Sequence, residues 1–287
     1  MRIVSPAKIN LFLHITGKRR DGYHDLFTLM SCVKLADVIH LDFDTDHISL
    51  YCEHDQVPRD ISNHAVRAAA IFFEQARIKP GVAITLEKNV PVAAGLGGGS
   101  SNAAAVLKAL NRHYGSPFSQ QQLHRMATGI GADVPFFLYG KPALATGIGD
   151  RLTAYLPLEQ LPVIIIKPNF SVSTAEIYKS FSLGLTNDKK TITDYFFTEK
   201  TAFNAAIHLV NDLERITAAR HPEIHQMKRR LLDHGATGSL MSGSGPSVFG
   251  LFSTPEAAQK AYDGLRCSER DERIFLTNLV TGDDATK

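Results

Sequence analysis

Four glycines in five positions, Gly95, Gly97, Gly98 and Gly99, stand directly before Ser100, Ser101 and an alanine-rich run. Glycine reaches backbone conformations closed to other residues and lets the chain approach a ligand closely. The first N–H groups of a helix have no intrahelical partner and carry partial positive charge. A glycine loop that opens a helix is therefore an anion site, and two serine hydroxyls add to it. The letters fit neither familiar phosphate loop. No Lys precedes Ser100, as a Walker A loop requires, and Ser100 stands where G-x-G-x-x-G needs its last glycine. The alternatives are an ordinary flexible turn and a phosphate cradle of a third type, and the second explains the letters better.

Other residues suit chemistry beside such a loop. Lys8 and Asn10 share one face of an alternating segment whose other face carries Ile9, Leu11, Leu13 and Ile15. The plain alternative for Lys8 is a solvated edge position. Asp133 lies in Ala132-Asp-Val-Pro-Phe-Phe-Leu138, an apolar setting where an ionised carboxylate is costly without a partner. It reads either as a turn or cap aspartate or as a general base beside a cation. Tyr23 and His24 sit at a glycine-flanked loop tip. They are either a surface pair or an aromatic face and polar edge suited to a planar base. Met241-Ser-Gly-Ser-Gly-Pro-Ser247 is a second Gly/Ser-rich loop, and alone it reads as a turn. His221-Pro-Glu-Ile-His225 lacks the H-E-x-x-H order of a zinc helix, so no metal-binding residue is assigned.

The elements that must position these residues follow from pattern. Strands are expected near residues 9–15, 27–35, 38–43, 47–51, 82–86, 163–167, 248–252 and 273–276. Helices are expected over 62–77 with Ser62 as N-cap, from Ser100 to about 112, and over 119–128, 202–213, 222–234 and 255–265. Residues 181–200 read as a polar connection. Mixing of strands and helices without regular βαβ alternation favours an α+β fold. At about 150 residues per domain, 287 residues suggest two domains. A break of prolines and an acidic residue around 156–161 places them at 1–157 and 158–287.

Composition limits the partners. Lys+Arg 31 against Asp+Glu 29 leaves +2, too little for a broad nucleic-acid footprint. No apolar run approaches the about 18 residues of a membrane helix, and the first residues lack the build of a signal peptide. Three cysteines with no C-x-x-C pair argue against a disulfide framework and a structural zinc site. A globular protein of a reducing compartment, the cytoplasm, with a small partner is what remains.

In order along the chain stand Ser5-Pro-Ala-Lys-Ile-Asn-Leu11, Asp21-Gly-Tyr-His24, Pro91-x-x-x-Gly-Leu-Gly-Gly-Gly-Ser-Ser-Asn102, Gly131-Ala-Asp-Val-Pro-Phe136 and Met241-Ser-Gly-Ser-Gly245. Together they resemble the GHMP small-molecule kinases. Within that family they resemble the branch acting on a cytidine diphosphate derivative of methylerythritol, in non-mevalonate isoprenoid precursor synthesis. The resemblance runs from residue 2 to about 252. It implies an N-terminal domain like the second domain of ribosomal protein S5, a ferredoxin-like C-terminal domain, and a site in the cleft between them.

It also implies ATP as phosphoryl donor, with Mg²⁺ carried on it. Lys8 and Asp133 would be catalytic. Pro91, Val92, Ala93, Ala94, Gly95, Leu96, Gly97, Gly98, Gly99, Ser100 and Ser101 would hold ATP, with Asn63 near the adenine. His64 departs from the aliphatic residue that the family carries beside that Asn. Asn10, Tyr23, His24, Thr174 and Tyr178 would bind the substrate, the last two through Ser173-Thr-Ala-Glu-Ile-Tyr178. Two alternatives stay open: a family kinase for homoserine, mevalonate or a sugar, and a nucleotide-binding module without catalysis. The Asp21–His24 block argues against the first, because those substrates carry no nucleobase. Lys8 and Asp133 argue against the second.

Overall fold

The structure is a computed structural model that describes residues 1–181, 198, 200–267 and 270–281. Its first half comprises β1 (Arg2–Lys18), β2 (His24–Asp42), β3 (Ile48–Tyr51), α1 (His64–Ala76), β4 (Val82–Glu87), α2 (Gly98–His113), α3 (Gln120–Ile130), α4 (Val134–Tyr139), β5 (Ala143–Thr146) and β6 (Arg151–Ala154). Its second half comprises β7 (Pro162–Pro168), α5 (Thr174–Ser180), α6 (Ala205–His208), β8 (Val210–Asn211), α7 (Glu214–Arg220), α8 (Glu223–Asp233), β9 (Gly238–Met241), β10 (Val248–Leu251), α9 (Pro255–Arg266) and β11 (Glu272–Asn278).

The strands form two sheets, and the α+β expectation holds. One sheet runs β3-β4-β2-β1-β8, with β5 paired to β2 and β6 to β5; the other runs β11-β7-β10-β9. The second, antiparallel throughout, has the strand order of a ferredoxin-like unit, with helices between β7 and β9 and between β10 and β11. β1 and β2 are long because they serve two layers. Ala7, Ile9, Leu11 and Phe12 of β1 pack with Val163 and Ile165 of β7 and Phe249 of β10, between the sheets. Ile39, Leu41 and Ile84 pack under α1 and α2. Ile164 and Ile166, on the other face of β7, pack with Ile224 and Leu231 of α8.

The expected single apolar face of β1 is corrected by a bulge. The register slips between Asn10 and Phe12, which pair with Met30 and Leu29. Leu11 is the extra residue, so Leu11 and Phe12 enter the same core while Leu13 and Ile15 pass to the next one. Lys8 is not a solvated edge residue, since it is 4% exposed.

Other boundaries moved for identifiable reasons. Asn63 rather than Ser62 caps α1, its Oδ1 accepting from Ala65 N at 2.8 Å, while Ser62 bonds Asp60. Residues 27–35 and 38–43 join into one strand, β2. The helix expected over 202–213 is only α6, because Phe12 and Leu13 pair with Val210 and Asn211. Asp212 N donates to Leu13 O as well, and these non-local bonds override local propensity. Strands β5, β6 and β9 and helix α7 were not expected from the pattern. The connection read at 181–200 lies outside the described residues except for 181, 198 and 200.

One buried network fixes where the glycine loop begins. Asp37, fully buried on β2, accepts from Asn89 N and Val90 N at 2.8 Å each, from Lys88 Nζ at 2.7 Å and from Asn102 Nδ2 at 3.0 Å. It thereby ties the end of β4 to the first turns of α2. Removing one partner of a buried pair leaves the other charge uncompensated. Asp37→Ala should therefore cost about 3–5 kcal/mol, read as a lower midpoint in urea unfolding.

Candidate active site

The glycine loop leaves β4, crosses Val90 and Pro91, and enters α2 at Gly97. Gly97 is the N-cap, in the left-handed region at φ 68, and no side chain caps the helix. The N–H groups of Gly98, Gly99 and Ser100 find no acceptor among the described residues, whereas Ser101 N already bonds Gly97 O at 2.9 Å. Three donors and the helix dipole thus face the loop. The two serines divide. Ser101 is buried and its Oγ accepts from Ser5 Oγ at 2.8 Å, while Ser5 Oγ accepts from Asn102 Nδ2 at 2.9 Å. Ser100 is the half-buried hydroxyl left beside the donors.

β1 runs past this loop and delivers Lys8. Its backbone N–H donates to Leu96 O at 2.9 Å, and its side-chain stem passes the Cα of Gly97 so closely that a Cβ there would lie 3.1 Å from Lys8 Cγ. The ammonium donates to Asn10 Oδ1 at 2.6 Å and stands 3.7 Å from Asp133 Oδ2. Asn10 is held in turn by Thr28 Oγ1, which accepts from Asn10 Nδ2 at 2.9 Å. Asp133 occupies the N-cap position of α4, yet its side chain caps nothing. The plain cap reading therefore fails to account for the carboxylate. Its side chain is 38% exposed while that of Lys8 is 5% exposed, so the pair has one buried partner and one facing the opening. Lys108 Nζ holds the far end of α4 by donating to Phe137 O at 3.0 Å.

The second Gly/Ser loop, 241–247, closes against the first. Ser242 Oγ donates to Gly95 O at 3.0 Å and Ser247 N to Ala94 O at 3.3 Å. Asn211 Nδ2 donates to Met241 O and Gly243 O at 2.8 Å each, which is how β8 steers the loop. Thr174 Oγ1 and Ser244 Oγ lie 2.7 Å apart. A Cβ on Gly243 would come within 3.5 Å of both Lys8 Nζ and Asn10 Oδ1, so this loop also borders the lysine.

His24 and Tyr178 meet on another side. Their ring centroids are 5.5 Å apart, and Phe181 stands edge-on to His24 at 5.9 Å. Both ring nitrogens of His24 are buried without a hydrogen-bond partner among the described residues. Burial, helped by Lys18 and opposed by Asp25, pushes the imidazole down from its ordinary pKa, so it is neutral with one donor and one acceptor. Burial, reinforced by the Asp133 carboxylate, pushes the Tyr178 phenol up. Tyr23, next to His24 in the chain, is 57% exposed. Asn63 is occupied as the α1 cap, its Nδ2 donating to Pro58 O at 2.8 Å.

The geometry thus gathers Lys8, Asn10, Asp133, the glycine loop, Thr174 and the 241–247 loop around one centre, with His24 and Tyr178 as a second polar–aromatic cluster. Sequence reading passed over Thr28, Asn211 and the Asp37 network, which hold the centre in place. Asp37 carried one signal, a carboxylate set between Leu35-Ala36 and Val38-Ile39. Two cavities among the described residues lie elsewhere: about 400 Å³ between Phe170, Glu223 and Arg270, and about 430 Å³ between Ile71, Phe118 and Arg125.

Comparison with known proteins gives the family of the chain. A family model for the GHMP kinases N terminal domain matches residues 63–141, and one for the GHMP kinases C terminal matches 200–270. The 4-diphosphocytidyl-2-C-methyl-D-erythritol kinase of Syntrophus aciditrophicus is 44% identical over 261 residues, covering 91% of this chain and 93% of that one. That of Syntrophotalea carbinolica is 44% identical over 278 residues, covering 96% and 98%. The chain belongs to the 4-diphosphocytidyl-2-C-methyl-D-erythritol kinase family of GHMP kinases.

A crystal structure of 4-(cytidine 5'-diphospho)-2C-methyl-D-erythritol kinase superposes with a TM-score of 0.81 at 33% identity, covering 98% of this chain and all of that one. A homoserine kinase from Cytophaga hutchinsonii superposes at 0.73 with 20% identity, covering 100% of this chain and 96% of that one, and shares the fold. The two-domain GHMP kinase architecture expected from the motifs is therefore the one present, and the chain is an ATP-dependent small-molecule kinase. No helix among the described residues is long and apolar enough to cross a membrane.

The contact between the two loops tolerates no side chain. Gly95 has φ 75, and a Cβ there would lie 2.3 Å from Ser242 O and 2.9 Å from Gly245 O. Gly95→Ala should destabilise the protein by about 1–3 kcal/mol through strain and overpacking. Thermal unfolding should show the loss, and KM for ATP should rise as the loops part.

Proposed function

We propose that this enzyme transfers the γ-phosphoryl group of ATP to the 2-hydroxyl of 4-diphosphocytidyl-2-C-methyl-D-erythritol, giving the 2-phosphate and ADP in non-mevalonate isoprenoid precursor biosynthesis. The observation that carries the chemistry is the buried Lys8 ammonium, set between Asn10 and the open carboxylate of Asp133 and against the glycine loop. Phosphoryl transfer asks a protein mainly for positioning and for stabilising charge. Asp133 accepts the proton of the attacking hydroxyl. Lys8 offsets negative charge on the carboxylate and on the moving phosphoryl group, and its low exposure keeps that attraction from being screened.

The ATP phosphates lie on the N–H groups of Gly98, Gly99 and Ser100, with the segment Pro91–Ser101 shaping the loop and Asn63 bordering the adenine. Mg²⁺ supplies charge neutralisation on the phosphates. Hard oxygen donors suit it, and Ser100 rather than the engaged Ser101 is the hydroxyl placed to add one to those of ATP. Asn10 and Thr174 contact the substrate. The cytosine lies between Tyr23, His24 and Tyr178. Two unpaired nitrogens on a neutral, buried His24 support this reading, because a nucleobase edge offers both a donor and an acceptor. Residues 1–157 carry the phosphate loop, and 158–287 carry Thr174, Tyr178 and the second glycine loop. Free Cys32, Cys52 and Cys267 suit a cytoplasmic setting.

ADP release measured side by side with the diphosphocytidyl substrate, homoserine and mevalonate tests the assignment. Turnover should appear with the first alone. Equal turnover with homoserine or mevalonate sinks the substrate assignment, and none with any of them sinks the kinase reading. In the same assay Asp133→Ala should lower kcat by about 10²-fold or more with a smaller change in ATP binding. A near wild-type kcat removes Asp133 from the base role.

The base site is tested separately. Tyr23→Ala should weaken substrate binding by about 1–3 kcal/mol, the range of base–aromatic stacking, and leave KM for ATP alone. An unchanged Kd for the substrate by titration calorimetry refutes the stacking.

A further inference from the structure

Two glycines beside the site have no conformational need to be glycine. Gly99 is not among the positive-φ residues, and Gly131 lies at φ 179, extended backbone that any residue adopts. Space does not require glycine either. A Cβ on Gly99 would meet only His64 Nδ1, at 3.8 Å. One on Gly131 would meet His64 Cε1 at 3.5 Å, Val134 Cγ2 at 3.6 Å and His64 Nδ1 at 3.8 Å. These are ordinary van der Waals separations. Both vacant Cβ positions are bordered by the same ring nitrogen, so the first turn of α2 and the corner before Asp133 share a gap with His64 as its wall.

That nitrogen is buried and has no hydrogen-bond partner among the described residues. A polar atom left this way is costly unless something else satisfies it. His64 does not drift to find one, because it is the first residue of α1, directly after the Asn63 cap that is bonded to both Pro58 and Ala65. The gap adjoins the unpaired N–H groups of Gly98, Gly99 and Ser100, which favour an anionic oxygen.

We propose that His64 is a nucleotide-contacting residue whose Nδ1 donates a hydrogen bond to an oxygen of the ATP triphosphate lying in the gap between Gly99 and Gly131. The proposal rests on the kinase reading of the glycine loop. Arg67, one turn along α1, and Asp133, across the gap, are the charged groups that act on the ring. Burial and Arg67 push its pKa down and Asp133 opposes them, which favours a neutral imidazole able to carry its hydrogen on Nδ1. Glycine at 99 and 131 keeps open the space that the phosphate oxygen occupies.

The test uses the full chain with three substitutions. His64→Leu keeps the volume and removes the donor. His64→Asn returns an amide nitrogen near the position of Nδ1. Gly131→Ala fills the gap. His64→Leu should raise the calorimetric Kd for ATP about ten- to a hundredfold, as expected for loss of a hydrogen bond to a charged group. KM for the diphosphocytidyl substrate should stay within about twofold and the melting temperature should hold. His64→Asn should recover most of the ATP affinity, and Gly131→Ala should lose it at unchanged melting temperature.

Wild-type ATP affinity in His64→Leu overturns the proposal. Equal losses for both substrates overturn it too, since they mark a general packing defect. A wild-type chain that binds no ATP overturns the kinase reading itself and His64 with it. A wild-type chain that binds ATP tightly while His64→Leu is unaffected overturns only the role of His64.

Discussion

The contact of Gly95 with the loop at Ser242–Gly245 is the constraint on which the site depends. It brings backbone to backbone, with Ser242 Oγ on Gly95 O and no room for a Cβ. Through it the glycine loop of the first sheet meets the β9–β10 turn of the second. Lys8 lies in the seam because Lys8 N bonds Leu96 O one residue further along the same loop. The cores on either side act on this contact. Val163, Ile165 and Phe249 pack against Ile9 and Leu11, so separating the loops would expose a shared apolar layer.

Charge in this molecule is used where water is scarce. Lys8, Lys88 and Lys108 are all largely withdrawn from solvent, and each is held differently. Lys8 meets a side-chain amide and an open carboxylate, Lys88 meets Asp37 and Val90 O, and Lys108 meets the end of α4. Burial pushes the pKa of Lys88 and Lys108 down, and Asp37 opposes that at Lys88. Lys88 acts through Asp37, which accepts from Asn102 of α2, and Lys108 reaches from α2 to the end of α4. A net charge of +2 conceals this arrangement, because the buried cations are few and the unpaired donors of the glycine loop are uncharged backbone groups.

Much of the fold was readable because it depends on local pattern. Val163–Lys167 announced a strand with both faces buried, and Ile164 and Ile165 do pack on opposite sides of it. The glycine run before Ser100 announced a helix start. What the pattern hid was non-local. The bulge at Leu11 is invisible in an alternating sequence, since a single extra residue shifts the faces only relative to a partner strand. The residues at 210–211 looked helical and became a strand because β1 and the second glycine loop offered better bonds than a helix would.

The site divides along the same line. Residue type and spacing by themselves determined the candidates: a glycine loop opening a helix, a lysine and an asparagine two apart on a strand, a carboxylate in an apolar block. Those features are local, and the chemistry of each follows from its atoms. Only the tertiary structure decided which of them meet, that Ser101 turns inward while Ser100 stays at the loop, and that His24 is buried while Tyr23 stays exposed. It alone set Lys8 3.7 Å from Asp133, although the two are 125 positions apart in sequence. Such distances depend on how two sheets close over a common core, and packing of that kind is a property of pairs of distant residues, which no single stretch of sequence carries.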